Sequence, residues 1–184
     1  LAAATTAINT LLQATPTAAT IDTQSNTLRA GGIMIAAGQG DLTIGASAGV
    51  GTLTAATSGG DLVLWNHSGS TLTVNSVIAN NSSASTLTKS GTGLLVLAGA
   101  NTFTGNTTVN EGTLRLSNNA ALGAPASSNR TTIRQAGVLD LALANMSGTA
   151  GILDGSGRIT SSAASGTATL SIGAGHGTTG YFTG

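Results

Sequence analysis

Short aliphatic runs return along this chain about every twenty residues, and that recurrence leaves few folds open. Gly93-Leu94-Leu95-Val96-Leu97 returns nineteen residues later as Gly112-Thr113-Leu114-Arg115-Leu116. The next step, to Gly137-Val138-Leu139-Asp140-Leu141, is 25 residues, and the excess predicts a loop around Ala124-Pro125-Ala126. In the first half, Gly40-Asp41-Leu42-Thr43-Ile44 aligns with Gly60-Asp61-Leu62-Val63-Leu64, and Gly49 with Gly69, twenty residues on. Thr52-Leu53-Thr54 aligns with Thr71-Leu72-Thr73 at nineteen. Within each run apolar and small polar residues alternate, the pattern of a half-buried β-strand. The Ala-rich start, residues 1–14, is no exception: Thr5, Thr6, Ile8, Asn9 and Thr10 are poor helix formers.

A period of about 20 to 25 residues carrying two or three strands is a solenoid signature. The fold class expected is all-β, a right-handed parallel β-helix with coils of roughly 20 residues. Residues 1–184 are expected to form one such segment, part of a longer chain. Successive coils stack about 4.8 Å apart, so eight or nine coils would make a rod about 40 Å long. Each coil buries its apolar face only against its neighbours. The alternation predicts that Leu62, Leu64, Leu72, Val74, Leu95, Leu97, Leu114, Leu116, Leu139 and Leu141 point inward. Leucine-rich repeats share the period but need an L-x-x-L-x-L-x-x-N line that this chain does not keep. An antiparallel sandwich is the remaining alternative.

Charge excludes several function classes. Only 7% of residues are charged, and six basic side chains cancel six acidic ones. Lys89 is the sole lysine, and Arg29, Arg115, Arg130, Arg134 and Arg158 are scattered, so no basic patch offers itself to nucleic acid. Abundant, evenly spread aliphatics argue against disorder. Cysteine is absent, which removes disulfides and thiolate metal sites and suits a chain that crosses an oxidising compartment. No apolar run is long enough to span a bilayer as a helix. The chain lacks an initiator Met and a signal pattern, so a processed or excised piece of a longer protein is expected.

Candidate chemistry is sparse. Asp22, Asp41, Asp61, Asp140 and Asp154 fall in separate coils. Asp41 and Asp61 lie twenty residues apart, where they would stack as solvent-facing corner residues. Gly175-His176-Gly177 resembles a polygalacturonase triplet but lacks the clustered aspartates that acid–base cleavage needs. Gly175 to Gly180 spells G-x-G-x-x-G without a following helix, so a turn is the better reading. His67 and His176 have no partner at metal-ligand spacing. Of Trp65, Phe103, Tyr181 and Phe182, Phe103 is expected in the core at a corner, and a carbohydrate platform has little support. No catalytic residue, metal site or cofactor is assigned, and the chain is read as a non-enzyme.

The stretch from Leu87 to Leu114 carries a specific pattern. Lys89, Gly91, Gly93, Leu95, Leu97, Gly99, Asn101, Thr102, Phe103, Thr104, Gly105, Thr107, Val109, Gly112, Thr113 and Leu114 fall at fixed positions of L-x-K-x-G-x-G-x-L-x-L-x-G-x-N-T-[YF]-[TS]-G-x-T-x-[IV]-x-x-G-T-L. In this the chain resembles the autotransporter-associated β-strand repeat, also called the passenger-associated transport repeat. The resemblance implies a passenger region of a type V secreted bacterial protein, folded as a β-helix at the cell surface, with the repeat aiding secretion. The function it implies is a structural or adhesive extracellular stalk. A self-assembling fibre module is the alternative, and a polysaccharide-active β-helix a weaker one. Expected partners are copies of the chain stacked end to end, or a host-cell or matrix surface. Neither nucleic acid nor membrane insertion by this segment is expected.

Overall fold

The computed structural model describes residues 4–124, 129–173 and 182–183. Every regular element in it is a strand, and every pairing between strands is parallel. The first coil holds β1 (Thr5–Gln13) and β2 (Ala19–Ile21), and the second β3 (Thr27–Ile35) and β4 (Leu42–Ile44). The third holds β5 (Thr52–Ala55), β6 (Asp61–Asn66) and β7 (Thr71–Val74). The fourth holds β8 (Val77–Ala79), β9 (Thr86–Ser90) and β10 (Leu94–Leu97). In the fifth and sixth, β11 (Thr107–Leu116) and β12 (Arg130–Leu141) each bend to serve two faces. The seventh holds β13 (Ser147–Ala150), β14 (Ile152–Gly155) and β15 (Arg158–Ser161), and β16 (Thr169–Ile172) opens the next. The strand expected within 1–14 is β1.

The coils are three-sided. One face stacks β2, β4, β7, β10, the second halves of β11 and β12, and β15. Among the described residues that stack holds seven rungs, where eight or nine coils were expected. The difference lies in coil length: Leu42 stacks on Leu72, thirty residues away, and Gly32 on Val63, 31 away. Turns at 36–41, 45–51, 56–60 and 67–70 lengthen these coils beyond twenty residues. The shortest step, nineteen residues, joins the fourth coil to the fifth, where Leu94 stacks on Thr113; Leu87 stacks on Thr107 at twenty, a step that Val138 on Arg158 also makes.

Two first-half alignments from the sequence are therefore corrected. Leu42 and Leu62 lie on different faces, because Leu62 stacks on Leu87. Leu53 stacks on Leu28 and Ile78, not on Leu72. All faces share one inward–outward alternation, so a shift of about twenty residues can superpose one face on another. The steps of 19 and 25 in the second half are register pairs as expected, Leu95 on Leu114 and Gly112 on Gly137. The loop placed around Ala124-Pro125-Ala126 falls largely outside the described residues.

Burial follows the alternation. All ten residues predicted to point inward are buried, the least of them Leu141 at 5% exposed. Leu42, Leu72, Leu95, Leu114 and Leu139 form one continuous column. Beside it run Ile44, Val74, Leu97, Leu116 and Leu141. Such a column exists only while coils stay stacked, because no coil covers its own apolar edge.

Candidate functional site

The second face carries an inward column of Leu11, Ile33, Leu64, Lys89, Val109 and Ile133. The chain's only lysine thus occupies an aliphatic rung and is fully buried, at 0% exposed. Its stem lies in the core, and its Nζ reaches the corner that follows β9. There it donates to the main-chain carbonyls of Ser90 (2.9 Å), Gly91 (2.5 Å) and Glu111 (3.1 Å). Three donors meet three acceptors, which is the satisfaction a buried ammonium needs. Two acceptors belong to the fourth coil and one to the fifth, so the bonds span the coil boundary.

Glycines make this corner possible. Gly91 and Gly112 have φ of +77° and +67°, the left-handed region that other residues enter at a cost. A Cβ on Gly112 would also lie 2.5 Å from the Gly91 carbonyl. The Glu111 carboxylate closes the arrangement from outside, accepting from the Gly91 N–H at 3.0 Å.

Burial pushes the Lys89 amine down to about 8, against a smaller upward pull from the Glu111 carboxylate. The unfolded chain holds its proton up to an ordinary lysine value of about 10.4. Between pH 8 and about 10.4 the unfolded state therefore binds more protons, and stability rises with pH by up to about 3 kcal/mol. Below pH 8 both states are protonated and the contribution is flat. Urea unfolding at pH 7, 9 and 10.5 is expected to show this rise, and Lys89→Met to lack it.

A second corner follows β10. Asn101 is buried; its Oδ1 accepts from Ile78 N–H at 2.8 Å and its Nδ2 donates to the Ala121 carbonyl at 2.7 Å. It joins the fourth, fifth and sixth coils on the third face, that of β5 and β8, where the described residues of the fifth and sixth coils carry no strand. Phe103 fills the core beside it, as expected. Asn80 receives the Thr104 N–H and donates to the Thr104 hydroxyl, both at 3.0 Å. Gly105 passes so close to Ser85 that a Cβ would lie 2.2 Å from its carbonyl. Gly93 and Gly99 pack likewise against the Ser68 and Ser76 carbonyls. Leu95, Leu97, Thr107, Val109 and Leu114 face inward, whereas Thr102 is exposed and Thr113 half-buried.

The acids do not converge. Asp41 and Asp61 are exposed but lie on different faces, so they do not stack. Asp41 accepts from Thr71 N–H at 2.7 Å, and Asp61 from the hydroxyls of Thr86 and Thr88, both at 2.8 Å. Asp140 pairs with Arg115 at 2.7 Å and takes the Ser162 hydroxyl, and Asp154 pairs with Arg130. Trp65 faces outward, in register with Met34 and Leu12, and packs against His67 with ring centres 5.2 Å apart. The stretch 175–180, with His176, lies outside the described residues.

The two corners and the inward leucines between them form one continuous unit. Residues 87–116 match the passenger-associated-transport-repeat family. The match covers 30 of the chain's 184 residues, from Leu87 through the Lys89 corner to the end of β11. A 59-residue stretch, 32% of this chain, is 52% identical to an adhesin autotransporter of Brucella suis biovar 1 (strain 1330). It covers 2% of that relative's length. No solved structure matches. The autotransporter passenger repeat expected from Leu87 to Leu114 is thus found at the same place in the chain.

Lys89 is the feature that residue types alone conceal. Lysine is among the residues least often fully buried, so a lone one reads as surface. The available signal was phase: Leu87-x-Lys89 keeps the inward alternation of its strand.

Proposed function

We infer that this chain is a length of β-solenoid stalk from a secreted, surface-displayed passenger, structural or adhesive in role and not catalytic. One observation carries the reading: the passenger-associated-transport-repeat spans the junction of the fourth and fifth coils, where the sequence step is shortest and a buried lysine bonds across the boundary. A segment that stacks at minimum coil length, with every core rung filled, is suited to fold early and give later coils an edge to extend. Folding outside a cell would then draw the rest of the chain outward.

The test is display. The chain is placed between a signal peptide and an autotransporter barrel, and surface-exposed protein is measured by protease shaving of intact cells. Lys89→Ala or replacement of 87–116 by a polar linker is expected to lower display several-fold at equal synthesis. Display unchanged by both alterations would contradict the role in secretion.

A further inference from the structure

The Lys89 corner has the form of a ligand site already filled. Three main-chain carbonyls from two coils converge on one point, at 2.9, 2.5 and 3.1 Å from Nζ. Gly91 and Gly112, both at positive φ, hold the corner in shape, and the nearby Glu111 side chain is itself held by Gly91 N–H. Opposite the carbonyls the surroundings are aliphatic, with Leu64 and Val109 on the adjacent rungs. Three acceptors on one side and hydrocarbon on the other match R–NH3+, which has three donors and one carbon substituent. A divalent cation suits the site poorly, since calcium requires about six to eight oxygen ligands.

We propose that this corner is a binding site for a protonated primary amine, which the chain fills with its own side chain and which a free alkylammonium ion fills once that side chain is cut back. The inference does not depend on the role in secretion. Lys89→Ala removes the three outer methylenes and the amine, the outline of n-propylammonium.

The experiment refolds Lys89→Ala from urea at pH 6.5 with n-propylammonium, methylammonium, ammonium or sodium at matched ionic strength, and with neutral 1-propanol. Propylammonium at about ten times its dissociation constant is expected to raise the variant's folding equilibrium constant about tenfold. Affinity should fall about fourfold for each methylene removed from the amine. Leu114→Ala, whose cavity has no carbonyl cluster, should show no such response. Equal rescue by 1-propanol would mean that filling the cavity suffices, and would overturn the proposal. So would a variant that stays unfolded, or gains nothing beyond sodium, in propylammonium.

Discussion

Lys89→Ala is expected to lower stability at pH 7 by about 2–5 kcal/mol. Three terms decide the sign. Removing the stem leaves a core cavity comparable with Met→Ala, about 2–5 kcal/mol. Orphaning three buried carbonyls adds about 1 kcal/mol or more for each that finds no water. Against these stands the relief of no longer burying a charge, up to about 3 kcal/mol. The first two win. Lys89→Met keeps most of the stem, so its loss should be clearly smaller. Urea unfolding of both variants measures the difference. Equal stability of wild type and Lys89→Ala would mean that the corner is not closed by the ammonium.

Leu114→Ala should cost about 2–5 kcal/mol. Leu114 is fully buried and stacks between Leu95 and Leu139, so its removal opens a gap in the column at the fifth coil. Val96 sits outward and half-buried on the adjacent rung, and Val96→Ala should cost well under that, about 0.5 kcal/mol. Because neighbouring coils support only each other, the loss should also lower cooperativity, separating unfolding on the two sides of the gap. A single sharp transition with unchanged midpoint would show that Leu114 is not a core residue.

The two substitutions mark what the sequence made legible. Leu114 could be placed inward from residue types alone, since alternation fixes the face and stacking repeats it. The second-half register was equally readable, because Gly93, Gly112 and Gly137 mark the same corner in three successive coils. Between Gly40 and Val74 the coils carry turns of unequal length. There the strands of different faces look alike, and only hydrogen bonding distinguishes Leu72 from Leu62 as the neighbour of Leu42. The lysine corner was readable as a motif but not as chemistry. Its acceptors are backbone carbonyls of Ser90, Gly91 and Glu111, and a carbonyl belongs to every residue. Which ones converge depends on the nineteen- to twenty-residue stacking of the fourth and fifth coils.

Cross-linking across the lengthened coils tests the parallel stack most directly, because the chain has no cysteine of its own. Thr43 and Thr73 are register neighbours on adjacent parallel strands and are both half-buried on the outward side. Neighbouring strands lie about 4.8 Å apart, within disulfide reach. Thr43→Cys with Thr73→Cys should therefore form an intramolecular disulfide under mild oxidation, visible as a mobility shift that reductant reverses. Thr43→Cys with Val63→Cys, the pair that a uniform twenty-residue coil would bring together, should remain two free thiols. A disulfide between 43 and 63, and none between 43 and 73, would contradict the three-sided stack.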